Sequence, residues 1–295
     1  MDTELGLDLR KLEHLVAIAE EGTFTRAARR LHLSQQALSS SIRALEREVG
    51  VDLLDRGGNA VTVLPAGQAL IDDARVLHGI ARSAVRRARR IGRAEAETLR
   101  IGHTPAVTGD EVTALIRRVH AIHPELSTHV NQRYPDELSE QLLAGDLDLG
   151  LCRAMTPERG LSHSTIDQRR LHVAVATDHH LADNDSVRLA ALADETVMVW
   201  GHPGRSGYTD LLVDHCRQAG FEPRLLRNPI QGTPPETAVI GTGHIAFVTV
   251  APGLAAGGRV KVLTLEPHVH VPLHALWPQH IGSEARDAFL RGATS

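Results

Sequence analysis

Gln36, Ser40, Arg43 and Arg47 follow one another at intervals of four, three and four residues, and Ser39 lies beside them. At 100° per residue a helix would gather them on one face that is polar, cationic and nearly free of bulk. Gln and Arg carry paired hydrogen-bonding groups that match the edges of bases, and Ser or Arg can reach phosphate oxygens. The chemistry on offer is therefore non-covalent recognition of a nucleic acid. An ordinary solvated helix in a bundle would show a similar face and stays open as the alternative.

Leu38, Ile42, Leu45 and Val49 recur at the same period on the opposite side and predict a buried stripe. Ser34 is placed to cap this helix, and Gly50 to end it in the left-handed conformation. A shorter helix, Phe24 to Leu31, precedes it, with Thr23 as N-cap and His32-Leu33 as the turn. Leu9 to Glu20, with Leu12, Leu15, Val16 and Ala19 at helical spacing, supplies a helix on which the pair can pack. After Gly50, the stretch VDLLDRGGNAVTVLPAG sets the turn residues Gly57-Gly58-Asn59 between two short aliphatic runs. That hairpin reads as a wing, with Arg56 at its base placed for phosphate or minor-groove contact.

The residues LRKLEHLVAIAEEGTFTRAARRLHLSQQALSSSIRALEREVG, followed by LLDR and AG, resemble the N-terminal pattern of the LysR-type transcriptional regulators in register from Leu9 to Gly67. The resemblance and the polar face together nominate Thr25, Arg26, Ser34, Gln35, Gln36, Ser39, Ser40, Arg43 and Arg56 as DNA-binding residues. The chain departs from the family's usual residues at Ser40, Ser41, Leu54, Asn59 and Leu64, which removes long cationic side chains from the interface. Gln35, Gln36, Ser39 and Arg43 are therefore expected to carry more of the readout.

Bulk charge gives this reading little support. The net charge is −4, and residues 1–97 hold fifteen Arg or Lys against fourteen Asp or Glu, so local placement has to do the work. A hydrophobic fraction of 42% over 295 residues allows two or three domains with real cores. No run of about eighteen apolar residues occurs and no apolar leader opens the chain, so a cytoplasmic protein without membrane contact is expected. Cys152 and Cys216 match no metal or redox spacing and read as buried, inert thiols.

From Pro65 to about Arg93, Leu70, Ala74, Leu77, Ala81, Ala84, Ala88 and Ile91 follow a four-three spacing, the seam of a coiled coil. This linker helix is expected to dimerise. Arg82, Arg86, Arg89 and Arg93 share another face. Beyond a hinge at Gly92 to Thr98, strands and helices alternate: LRIG, Asp110–Ile122, STHVNQ, Pro135–Ala144, DLGLC, then LHVAVAT as an extended crossover. TVMVW, Ser206–Ala219, PRLLRN, a helix at Pro234–Gly241, HIAFVTV and VKVLTL follow, and PHVHVPLHALW and Ser283–Arg291 close the chain. The pattern predicts an α/β effector domain of two Rossmann-like halves, periplasmic-binding-protein-like, joined to the N-terminal winged helix-turn-helix by the long linker helix. The predicted divisions are 1–64 for the DNA-binding domain, 65–93 for the linker and 98–295 for the effector domain. Within the last, half 1 takes about 98–165 and 268–295, and half 2 about 166–267.

A ligand in such a domain lies in the cleft between the halves, where strand ends meet helix N-termini. Thr104, Arg133, Arg153, His202, Arg205 and Thr233 fall on loops after strands and are the effector-binding candidates, suited to a small anion such as a carboxylate. Thr233-Pro234-Pro235-Glu236 has the form of a capping box. Each of these residues has a plain structural use as a cap or a solvated side chain. His268, His270 and His274 lack a further ligand nearby, and the pair His179-His180 is weaker still, so no metal and no cofactor is expected. No nucleophile elbow, P-loop or dinucleotide fingerprint appears, which disfavours an enzyme. A solute-binding receptor would need neither the helix-turn-helix nor the wing. The resemblance implies a transcriptional regulator tuned by an unknown small effector, dimeric through the linker helix and assembled into a tetramer. Its implied partners are double-stranded DNA with an interrupted palindromic site, other copies of itself, and RNA polymerase.

Overall fold

A computed structural model describes residues 7–57, 60–230 and 232–294. The chain divides close to Arg89 into two compact units. The first opens with α1 (Leu9–Glu21), α2 (Phe24–Arg30) and α3 (Gln35–Val49), followed by the two-residue strands β1 (Leu54–Asp55) and β2 (Thr62–Val63). The long helix α4 (Pro65–Gly92) comes next. The expected caps form: Thr23 Oγ1 accepts from Arg26 N–H and Ser34 Oγ from Ala37 N–H, each worth about 1 kcal/mol. Gly50 closes α3 at φ 82°, a conformation that favours glycine.

The core of this unit gathers Leu12, Leu15 and Ile18 of α1, Ala27 and Ala28 of α2, and Leu38, Ile42 and Leu45 of α3. Leu53, Leu54, Ile71 and Ala74 complete it. Val49 was expected in the α3 stripe but, as the last residue of the helix, is 41% exposed. The antiparallel pairing of Leu54 with Val63 and Asp55 with Thr62 makes the wing ladder, while Gly58 and Asn59 of its expected turn lie outside the described residues. On α4 the seam begins inside the core at the buried Ala74, next to the buried Ile71, and emerges into solvent: Leu77 and Ile91, and Val85 beside the seam, are exposed in the single chain. No helix among the described residues is long and apolar enough to cross a membrane.

The second unit contains two sheets. One is built from β3 (Thr98–His103), β4 (Ser127–Gln132), β5 (Leu149–Arg153), β6 (Leu161–Arg170) and β14 (His270–Pro278), in the order β4-β3-β5-β14-β6. α5 (Gly109–Ile122), α6 (Pro135–Leu143) and α8 (Glu284–Thr294) accompany it in sequence. The other holds β7 (His172–Ala176), β8 (Ser186–Arg188), β9 (Thr196–Val199), β10 (Arg224–Arg227), β11 (Ile245–Val248), β12 (Gly253–Ala255) and β13 (Val260–Glu266). Its order is β10-β9-β11-β7-β13-β12, with β8 on β13, and α7 (Gly207–Gln218) belongs to it. β3 pairs in parallel with β4 and β5, and β9 with β10 and β11. Each half is thus a parallel α/β unit closed by antiparallel strands.

Three sequence expectations give way here. β6 was not foreseen: LSHSTIDQRR carries only Leu161 and Ile166 as apolar residues, and it forms as an edge strand through a long antiparallel register with β14. Its sheet therefore continues to Arg170, and the chain crosses between the sheets at Leu171 and Val269, where Leu171 N–H donates to the Val269 carbonyl at 2.8 Å. β7, read as a crossover, is a fully buried central strand. The helix expected at Pro234–Gly241 is a run of tight turns: Pro235 disfavours helical dihedrals at Pro234, and Gly241 turns at φ 70°.

Candidate nucleic-acid interface and effector cleft

On α3, Gln35, Gln36, Ser40, Arg43 and Arg47 are exposed, and Ser39 is half-buried on their flank. Ser40, Arg43, Glu46 and Arg47, together with Gly50, Val51 and Asp52, line an open concavity of about 800 Å³. At the start of the helix Thr25 Oγ1 approaches Gln35 Oε1 at 3.4 Å, which ties α2 to the first residue of α3. Ser34 Oγ accepts in its cap, which leaves the exposed O–H free to donate to a phosphate. Ser41, one of the positions of departure, turns inward and meets His14 Nδ1 at 2.7 Å, while burial holds the His14 ring below the usual imidazole range.

The arginines divide by their partners. Arg26 Nε lies 3.2 Å from Glu21, and Arg30 meets Glu20 at 2.7 Å, with Glu20 and Glu21 holding its charge above the usual guanidinium range. Arg56, expected at the base of the wing for phosphate or minor-groove contact, donates from Nη2 to Glu46 Oε2 at 2.6 Å, and its guanidinium lies 5.4 Å from the Phe24 ring. Glu46 Oε1 accepts from Leu53 and Leu54 N–H at 3.1 and 3.3 Å, so one carboxylate fixes the base of the wing. Sequence spacing signalled none of this.

In the second unit a cavity of about 20 Å³, room for roughly one water, lies between the two sheets' loops. Thr104 and Arg153 of the six effector candidates line it, with Trp200, Ser206, Tyr208 and Thr209 from the other half. Ser206 caps α7 by accepting from Thr209 N–H at 3.3 Å, and Thr209 Oγ1 donates to the Gly201 carbonyl at 3.0 Å. Arg133 lies in a neighbouring depression of about 340 Å³ with Tyr134 and Glu137, its Nε donating to Gln141 and its Nη1 to the Gln132 carbonyl. His202 and Arg205 are exposed and line neither hollow, and His202 Nε2 lies 3.3 Å from Arg227 Nη1. Thr233 also lies outside both linings, and its capping box is absent because there is no helix for it to cap. The capping box forms instead at Thr108 and Glu111, at the start of α5.

Arg153 is the centre of the cleft. Its side chain is fully buried, Nε donates to the Ala106 carbonyl at 2.9 Å, and Nη2 donates to Glu111 Oε1 at 2.5 Å and to Thr249 Oγ1 at 3.1 Å. Thr249 Oγ1 in turn donates to the same Glu111 oxygen at 3.2 Å, so a carboxylate of one half, a hydroxyl of the other and the guanidinium form a closed triangle. Arg153 Nη1 and Trp200 Nε1 are buried without a partner. Burial lifts the Tyr208 phenol above its usual range, which keeps it a neutral donor. Burial, with Asp110 and Glu111 nearby, likewise lifts the Glu236 carboxyl. Sequence reasoning missed Ser206, Thr209, Tyr208, Glu111 and Thr249; the start of the helix at Ser206, directly after the strand TVMVW, was the available signal.

Residues 9–68 match the profile described as bacterial regulatory helix-turn-helix protein, lysR family, and residues 92–293 match the LysR substrate binding domain. The chain is 31% identical over 261 residues to the HTH-type transcriptional regulator TfdS of Cupriavidus pinatubonensis (strain JMP 134 / LMG 1197), covering 88% of each chain. It is 35% identical over 213 residues to the uncharacterized HTH-type transcriptional regulator YnfL of Escherichia coli (strain K12), covering 70% of this chain and 71% of that one. Among solved structures, full-length CbnR, a LysR family transcriptional regulator, superposes with a TM-score of 0.61 at 23% identity over 97% of this chain and 98% of that one. CbnR complexed with its target DNA gives 0.60 at 24% identity, covering 97% and 99%. The two profiles together span nearly the whole chain, and it belongs to the LysR family of bacterial helix-turn-helix transcriptional regulators, with a DNA-binding and an effector-binding domain.

Proposed function

We propose that this regulator reads an interrupted palindromic operator through Gln35, Gln36, Ser39 and Arg43 of α3, as a homo-oligomer, and that a small anion, most simply a carboxylate, tunes it from the cleft. The observation that carries the effector reading is the buried Arg153, which lines the cavity with one nitrogen unpaired. A buried guanidinium seeks a planar anion, and here an internal one, Glu111, already occupies part of the position. A cavity of about 20 Å³ admits no organic acid, so binding requires the Arg153–Glu111–Thr249 triangle to open. The energy of a ligand carboxylate replacing Glu111 is then spent on the conformation of the two halves, which is how an effector shifts a population.

Self-association through α4 is supported by the exposed Leu77 and Ile91 on the four-three seam, with Val85 exposed beside it. The alanines of that seam bury little area, so a second contact, giving a tetramer, fits better than a helix pair alone. Two-fold symmetry would match a palindromic site. Action in the cytoplasm, beside RNA polymerase, and without a cofactor or a catalytic role, follows from the same reading.

DNase I footprinting of the chain's own upstream region, with and without a panel of small organic acids, tests this. A dyad-symmetric footprint whose length or hypersensitive sites change with one acid is the expected result. No protected dyad upstream would refute the operator reading, and a footprint indifferent to every acid but altered by cationic or neutral metabolites would refute the anion reading.

A further inference from the structure

We propose that His179, His180 and Glu195 form a binding site for a first-row divalent transition metal on the second half of the effector domain. His179 and His180 follow β7 in a tight turn, and Glu195 stands in a separate turn just before β9. The fold supplies what was missing when the two histidines were read alone, a third ligand brought from outside their own segment. Backbone bonds hold both turns: His179 N–H to the Ala176 carbonyl at 3.0 Å, Ala182 N–H to His179 at 2.9 Å, and Glu195 N–H to Leu192 at 3.0 Å. Leu181 and Ala182, next along the chain, pack on the hydrophobic core of this half.

The donor geometry is that of a metal face. His179 Nε2 lies 3.4 Å from Glu195 Oε2, and His180 Nε2 lies 3.1 Å from Oε1. Donors held at about 2.0–2.1 Å from a tetrahedral ion stand about 3.3–3.4 Å from one another; the His179–Glu195 Oε2 edge has that length, while His180 faces the other carboxylate oxygen and must turn to share the same ion. The two rings stack at 4.4 Å, and the ligand atoms all lie within 4.8 Å of one another. Rotation of His180, whose side chain is 68% exposed, closes the remaining edge. His179 and Glu195 side chains are only 4% and 11% exposed, so two ligands are fixed and desolvated while the third is a solvent-facing arm. A fourth position stays open to water on that side.

The donor set selects the ion. Two imidazoles and one carboxylate suit Zn²⁺, Co²⁺ or Ni²⁺, whereas Mg²⁺ and Ca²⁺ call for oxygen ligands. Protons must also be accounted for. Leu181 N–H approaches His179 Nδ1 at 3.3 Å, which makes Nδ1 the acceptor and leaves the ring proton on Nε2, toward Glu195. Loading moves that proton to Nδ1 and opens the long contact with Leu181, with no net release from His179. The bound ion would clip the turn after β7 to the turn before β9 and stabilise this half of the domain. A hydrogen-bonded His–Glu–His cluster with no ion is the competing outcome.

The test uses the full chain, free of any affinity tag and stripped with chelator, titrated with Co²⁺ and followed by its visible d–d absorption. One Co²⁺ per chain is expected, displaced by Zn²⁺, with Zn²⁺ raising Tm. His180→Ala, at an exposed position, should keep the native circular dichroism and weaken Co²⁺ binding at least tenfold, and Glu195→Gln should do the same. Absence of a bound Co²⁺, or equal affinity and equal Zn²⁺-induced Tm shift in wild type and His180→Ala, would overturn the assignment in favour of a protein-only cluster.

Discussion

Arg56 and Glu46 are joined across 2.6 Å at the point where the recognition helix meets the wing, and the other oxygen of Glu46 holds Leu53 and Leu54 N–H. The carboxylate thus links the α3 helix to the strand that follows it. Glu46→Ala removes one charged and two backbone partners, and should lower the stability of the DNA-binding unit by about 2–4 kcal/mol. Urea unfolding followed by circular dichroism checks this; a change under about 0.5 kcal/mol would show that the clamp contributes nothing to folding.

Gly67 makes a second prediction about the same junction. Alanine in a helix interior normally gains about 1 kcal/mol over glycine. A Cβ on Gly67 would stand 2.1 Å from the Leu53 carbonyl oxygen, which is backbone and cannot swing aside. The sign therefore reverses: Gly67→Ala should destabilise by about 1–3 kcal/mol or more. A melting temperature equal to or above wild type would contradict this packing of α4 on the wing strand.

In the cleft, Glu111→Ala leaves the fully buried Arg153 guanidinium without its counter-charge and also removes the glutamate half of the α5 capping box. Breaking such a pair from one side costs about 3–5 kcal/mol. Thr249→Val removes a single hydroxyl from the triangle and should cost about 1 kcal/mol. Chemical denaturation of both variants separates the terms, and equal, small losses would show that the triangle is not held as described.

Much of this was legible in the residues, and the boundary of legibility is physical. The three N-terminal helices announced themselves because their apolar residues keep one period and their ends carry Thr23, Ser34 and Gly50. β6 did not, because an edge strand is stabilised by its ladder with β14 and shows few buried side chains of its own. The capping box was read at Thr233, where prolines prevent a helix, and overlooked at Thr108, where Glu111 closes it. Thr104 and Arg153 line the cleft cavity, but the Arg153 partners Glu111 and Thr249 are distant in sequence. Only tertiary structure brings such groups together. Glu195 reached His179 and His180 in the same way.

The cysteines yield a prediction about pH. Burial pushes the Cys216 thiol up to about 11 and raises Cys152 further, and both side chains are buried. Only about one Cys216 in three thousand is thiolate at pH 7.5, and the thiolate is the reactive form. Both groups should resist a disulfide reagent in the native protein and react fully after unfolding. Since the folded pKa lies above the unfolded value, the native state should lose stability as pH rises from about 9 towards 11. Rapid native labelling of either residue, or operator affinity that changes with peroxide, would overturn the inert assignment.

The central claim is that the exposed polar face of α3 reads DNA sequence. Fluorescence anisotropy of the full chain on a duplex from its own upstream region, beside a scrambled duplex, measures this directly at fixed salt. Wild type should bind the upstream duplex far more tightly than the scrambled one. If Gln36 and Arg43 read bases as proposed, Gln36→Ala combined with Arg43→Ala removes two contacts of about 1–3 kcal/mol each. It should weaken specific binding roughly thirtyfold or more while leaving the scrambled duplex little changed. Undiminished discrimination in the double variant would contradict the account.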